Sequence, residues 1–201
     1  MKVRTGNNQD PTTLWKHLKD KAVSPERRQL AKTGVLRSAY MLGNGEEVML
    51  AATDLLAETK VAPELSNEAH YYRAKAYLDA GKVEGVMDDL KILAKDTRNI
   101  YGAEAKYKVA QIYFDAGQTG QAEKEVLDYI EVSTPHTYWL ARSFVLLSDV
   151  YMKLGRNLDA KQYLLSLKQN YQADDDIAGM IESRLNKPIP TPGWSATDRL
   201  R

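Results

Sequence analysis

Cysteine is absent from all 201 residues. That excludes disulfides, thiolate nucleophiles and cysteine-ligated zinc. It leaves the compartment open, because proteins of oxidising compartments also do without cysteine. Neither sign of charge dominates: 28 Lys and Arg face 27 Asp and Glu, for a net charge of +1. A dedicated nucleic-acid binder needs a basic field, so nucleic acid is not an expected partner. No apolar run reaches the roughly 18 residues that mark a membrane span. The opening stretch MKVRTGNNQDP carries charge without an apolar core and does not read as a signal peptide. If Met1 is the native start, this implies a cytoplasmic protein. If a leader or a larger N-terminal region precedes it, the periplasm or cell envelope follows instead.

Catalytic and metal-binding patterns are missing as well. His17, His70 and His136 are isolated in sequence, and none has a second ligand at HExxH-type spacing. Each is read as a structural histidine. Asp174-Asp175-Asp176 lacks the glycine and closing glutamate of a calcium loop, and reads as the acidic start of a helix. There is no P-loop, no GxSxG and no GxGxxG. The other carboxylates are spread over helix surfaces. No cofactor or metal is expected, and the chain is read as non-enzymatic.

Helical hairpins are what the sequence does contain. In 103–116, Val109, Ala110, Tyr113 and Phe114 recur at spacings of three and four, which is one face of a helix. Gly117 then reverses the chain, because glycine enters the left-handed region at little cost. A second amphipathic run follows with Ala122, Val126, Leu127 and Ile130. The pattern repeats in 137–171 with Phe144, Leu147, Tyr151, Gly155, Ala160, Leu164 and Leu167. Such a helix pair buries its apolar stripe only by stacking on neighbours. Turn glycines Gly43, Gly81, Gly117 and Gly155 fall 38, 36 and 38 residues apart.

The residues match the tetratricopeptide pattern of aromatic, large apolar, small, Tyr, Ala and large apolar. Phe144, Leu147, Ser148, Tyr151, Ala160 and Leu164 fit it. Val109, Ala110, Tyr113, Ala122 and Val126 fit it again, with Lys106 in the aromatic position. The chain therefore resembles tetratricopeptide repeat proteins, and TPHTYWLARSF is similar to those of Bacteroidetes-type bacteria. The period exceeds the usual 34 or so residues by two to four, which longer helices or loops would absorb.

The expected fold is all-α: a right-handed superhelix of about four hairpins, at 25–60, 66–96, 101–132 and 137–171. A short helix from Asp10-Pro11 to about Ala22 precedes them. Its Trp15 either packs on the first repeat or serves as a docking anchor. Val61–Leu65 reads as a linker, with Ser66 capping the next helix. Val86 stands where a small residue is usual, which predicts looser packing in the second hairpin. A capping helix covers about 175–185. Residues 1–9 are expected to be flexible, and 187–201, with Pro188, Pro190 and Pro192, extended.

In tetratricopeptide proteins the first helix of each repeat lines a concave groove. Carried over residue by residue, the resemblance implies groove positions Arg37, Tyr40, Tyr71, Lys75, Leu78, Tyr107, Gln111, Phe114, Asp149 and Met152. Thr33 and Val145 occupy the equivalent places in the first and last hairpins. Tyr40, Tyr71, Tyr107, Phe114 and Met152 would form an adaptable stripe for a peptide or helix. Alternatively, part of that stripe packs against the next repeat or an extra helix. The lysine and asparagine clamp of chaperone-binding relatives is not reproduced, since Lys75 lacks the asparagines. Two functions follow: a scaffold binding a protein or peptide segment, or an assembly module of a larger envelope protein that forms a homodimer.

Overall fold

The computed structural model describes residues 10–186. Ten helices and no strand occur among them: α1 (Pro11–Lys21), α2 (Pro25–Met41), α3 (Gly45–Leu56), α4 (Pro63–Asp79), α5 (Val83–Leu93), α6 (Ile100–Asp115), α7 (Thr119–Ile130), α8 (Thr137–Lys153), α9 (Asn157–Asn170) and α10 (Ile177–Leu185). The expectations for 1–9 and 187–201 lie outside the described residues. The chain divides into two compact units, Met1–Ala105 and Lys106–Arg201. Their boundary falls within α6.

Helix starts follow the local chemistry. Asp10 accepts a hydrogen bond from the Thr12 amide at 3.0 Å, and Pro11 takes the first position of α1. Ser24 caps α2 through the Arg27 amide, and Asn44 caps α3 through the Glu47 amide. Asn99 accepts from the Gly102 amide at the start of α6. The second hairpin departs from expectation. Helix α4 begins at Pro63 rather than at Ser66, with no side-chain cap. Proline's fixed φ suits the first turn, so residues read as a linker join the helix.

The ends of α2, α4, α6 and α8 are alike. Gly43, Gly81, Gly117 and Gly155 all have positive φ, between 67° and 76°. At each, the next residue's amide reaches back to a carbonyl five residues earlier: Asn44 to Ala39, Lys82 to Tyr77, Gln118 to Tyr113 and Arg156 to Tyr151. These are Schellman turns, which satisfy carbonyls left open by the helix end. A Cβ at any of the four glycines would have nothing within 4 Å. Backbone conformation alone therefore selects glycine there.

In the first unit, α1 packs on α2, and α2 through α5 pack in sequence. Its core holds Leu36, Ala39, Val48, Ala52, Leu55 and Ala69, all at most 4% exposed. Full burial of a leucine or valine is worth about 1.5–3 kcal/mol. Trp15 packs against this core, which supports its packing role rather than a docking one. In the second hairpin, Val86 is completely buried. Gly85 takes the small-residue role instead: its added Cβ would lie 3.0 Å from the Tyr77 ring.

In the second unit, α7 packs on α8 and α8 on α9, while α10 closes against both α8 and α9. Ala122 and Ala160 are buried with Val126, Leu147 and Tyr151. Ile177 and Ile181 of α10 are buried with Val145 and Leu164. The acidic stretch before α10 works as read, through one residue: Asp175 accepts from the Ile177 amide at 2.9 Å.

Candidate functional site

The expected groove positions take different environments in the two units. In the first unit, Arg37 on α2 forks onto Glu68 of α4, with Nε and Nη2 each donating at 2.7 Å. The guanidinium holds the Glu68 carboxyl below its ordinary range, against the opposing effect of burial. Tyr40 stacks on Tyr72, with ring centroids 3.8 Å apart and planes 9° from parallel. Tyr71 stacks on Tyr101 at 4.5 Å, and its hydroxyl donates to Glu104 at 2.9 Å. The Lys75 ammonium lies 5.8 Å from the Tyr71 ring centre. Leu78 is half-buried near the end of α4.

These contacts join four tyrosines from three successive inner helices into one ladder, with each ring half-buried. Burial and the neighbouring Glu68 push the Tyr72 phenol up to about 12. Burial, with the hydrogen bond to Glu104, pushes Tyr71 higher still. Both phenols stay neutral and keep their protons, so the face offers hydroxyls on a stiff aromatic surface. Arg37 remains 57% exposed despite its fork.

Two hollows flank the ladder along the α2–α4 cleft. One, of about 340 Å³, is lined by Glu26, Leu30, Arg37, Glu64 and Glu68. The other, of about 440 Å³, is lined by Tyr40, Met41, Val48, Lys75, Ala76 and Asp79. Met41 is 85% exposed at its rim.

The second unit spends its equivalent positions on internal packing. Tyr107 is only 4% exposed. It packs on Trp139, and Arg142 of α8 lies 5.1 Å over its ring and donates to its hydroxyl at 3.3 Å. The solvent-facing ring expected at position 107 is therefore a core ring, covered by α8. Asp149 is gripped by Arg184 of α10, at 2.8 and 2.6 Å. Met152 and Phe114 pack on the buried cluster, and Lys153 lies 5.1 Å over the Phe114 ring. Gln111 accepts from Lys108 at 3.2 Å. A smaller hollow of about 170 Å³ remains among Gln111, Arg142, Asp149 and Arg184.

One relationship recurs in both units. Arg37 reaches Glu68, Tyr71 reaches Glu104, Tyr107 meets Arg142 and Asp149 meets Arg184, at separations of 31, 33, 35 and 35 residues. Each inner helix is tied to the next one by a polar side chain at a groove position. Glu68, Tyr72, Tyr101, Glu104, Arg142 and Arg184 are the partners that the groove register alone does not reveal. The signal for them is a complementary residue roughly one repeat further on.

A second polar cluster sits behind the face. Asp89, with a side chain only 1% exposed, accepts from Arg73 at 2.9 and 2.7 Å and lies 2.7 Å from His70 Nδ1. Arg73 also donates to Thr53. Burial opposes ionisation of Asp89, yet the hydrogen bonds from Arg73 and His70 outweigh it and hold the carboxyl below its ordinary range. The histidine that looked isolated in sequence is thus a partner in a structural network. Among the described residues, no three His, Cys, Asp or Glu gather as a metal site requires. No helix among them is long and apolar enough to cross a membrane.

No protein-family model matches the sequence, and no curated protein matches it. The structure is similar to two crystal structures of nearly identical TPR-like repeats, from a kinesin light chain-like protein of Podosopora anserina. One, a point variant, has a TM-score of 0.56 and 17% identity, covering 79% of this chain and 84% of that one. The other has a TM-score of 0.56 and 16% identity, covering 88% of each chain. At that identity the likeness speaks for the fold: this chain is built of tetratricopeptide-like helical repeats. The narrower likeness to Bacteroidetes-type proteins receives no support from them.

Proposed function

We propose that this chain is a non-enzymatic scaffold that holds a partner protein through an extended segment. The segment lies on the inner face of the first unit. Arg37, Tyr40, Tyr71, Lys75 and Leu78 belong to that face, together with Tyr72 and Tyr101. The observation that carries the reading is the tyrosine ladder. Its rings are half-buried, fixed by stacking and by bonds to Glu68 and Glu104, and flanked by two hollows. Rigid aromatic surface beside pockets is what binding hot spots are made of. Prior fixation also lowers the entropy lost on binding. The corresponding positions of the second unit, Tyr107, Gln111, Phe114, Asp149 and Met152, act in this reading as ties and core.

Panning a display library of extended peptides against the full chain tests it. Enriched peptides should lose binding to a Tyr40→Ala, Arg37→Ala variant and keep it with Asp149→Ala. Peptides indifferent to the first variant would refute the assignment of the face.

A further inference from the structure

The two hollows beside the ladder differ in charge, and this difference bears on the partner. The hollow at the N-terminal ends of α2 and α4 is lined by three carboxylates, Glu26, Glu64 and Glu68, and one cation, Arg37. Arg37 and Glu68 neutralise each other through their fork. Glu26 and Glu64, each in the first turn of its helix, remain as surplus negative charge. The hollow at the other end holds one cation, Lys75, and one carboxylate, Asp79, and is otherwise lined by Tyr40, Met41, Gly43, Gly45, Val48 and Ala76. Both hollows are lined largely by apolar surface, and charge is what separates them: one end of the cleft carries surplus negative charge and the other is neutral. Both volumes fall in the range of ligand pockets, roughly 300–1,000 Å³.

We infer that the face selects an extended partner segment carrying one basic and one apolar side chain about five residues apart. The basic group sits between Glu26 and Glu64, and the apolar one sits against Tyr40, Met41 and Val48. This rests on the reading of the face given above. The spacing comes from the helices. Along α4 the hollows are centred about eleven residues apart, which at 1.5 Å per residue is about 16 Å. A chain in extended or polyproline form, at about 3.1–3.3 Å per residue, crosses that distance in about five residues. Between the hollows the Tyr71 and Tyr72 hydroxyls give their protons to Glu104 and Glu68, and their oxygens are left to accept from amides of the segment. Surplus charge of one sign at one end gives orientation and rejects acidic segments.

Fluorescein-labelled synthetic peptides test this against the full chain by anisotropy. The probe has one arginine and one leucine separated by four residues of alternating proline and threonine, made in both chain directions. A glutamate-for-arginine peptide and an alanine-for-leucine peptide are the controls. In one direction, the arginine–leucine peptide should bind at least tenfold tighter than either control. Glu64→Lys should weaken it about tenfold and abolish the preference over the glutamate peptide, and added salt should shrink the preference shown by the native chain. Melting curves of the variant, unchanged within a few degrees, establish that the effect is on binding. Equal binding of arginine and glutamate peptides, or no response to Glu64→Lys, overturns the inference, and so does failure of every peptide to bind. If panned peptides still depend on Tyr40 and Arg37 in those cases, the face stands and only the partner chemistry falls.

Discussion

The Trp15 ring of α1 lies directly on Gly34, in the middle of α2: a Cβ built on Gly34 would sit 2.1 Å from Trp15 Cδ2. Glycine inside a helix normally costs about 1 kcal/mol relative to alanine. Here it opens the space that the indole fills, and α1 is fixed on the first repeat. Gly34→Ala should therefore destabilise the chain by about 1–3 kcal/mol, as overpacking does. Urea denaturation checks the sign. A gain in stability would mean that the indole does not occupy that place.

The turn glycines give a second test, through a matched pair. Gly117 has a φ of 75° and open space around it. Gly117→Ala should cost about 1–2 kcal/mol, the price of an L residue in the left-handed region. Gly120, just inside α7, also has open space but no positive φ. Gly120→Ala should add about 0.5–1 kcal/mol. Opposite shifts in the denaturation midpoint are the expected result.

Asp89 ties stability to pH. Its carboxyl is held below the ordinary value of about 3.9 by Arg73 and His70. A carboxyl with a depressed folded value stabilises the fold above its unfolded value and ceases to do so as pH falls through the folded one. The contribution should be complete above about pH 5 and fade below pH 4. Asp89→Asn leaves Arg73 without its buried partner and should cost about 3–5 kcal/mol at neutral pH. Its stability curve should also be flatter in acid than that of the native chain.

Tyr107→Ala should cost about 3–5 kcal/mol, as for other buried aromatic rings. The ring is 4% exposed, against Trp139 and Arg142. Tyr40→Ala removes a half-exposed ring and should cost much less. Thermal melts of the two variants, side by side, check the ranking.

The repeat and its turns were legible because their signals are local. Helix periodicity, a glycine after each inner helix, and alanines at Ala122 and Ala160 all act within one hairpin. What escaped notice acts at a distance. Glu68, Glu104, Arg142 and Arg184 lie 31 to 35 residues from the groove positions they tie, beyond any local window. Gly34 has no explanation within its own helix, because its reason is a ring on α1. Gly85, one position before Val86, took the close contact with Tyr77 that the repeat register had placed on the next residue. Tyr71 and Tyr107 hold the same register position. Tyr71 contributes to a half-exposed ladder, whereas Trp139 and Arg142 bury Tyr107. Register places a residue on a face, and the neighbouring helix decides whether that face stays open.

The inner face of the first unit is the proposed binding surface. Its most direct test is one anisotropy titration of a panned peptide against the native chain, Tyr40→Ala and Asp149→Ala. Central aromatic anchors typically contribute about 2 kcal/mol or more. Tyr40→Ala should therefore raise the Kd at least tenfold, while Asp149→Ala leaves it within twofold. Binding that survives Tyr40→Ala but falls with Asp149→Ala would contradict the account and move the site to the second unit.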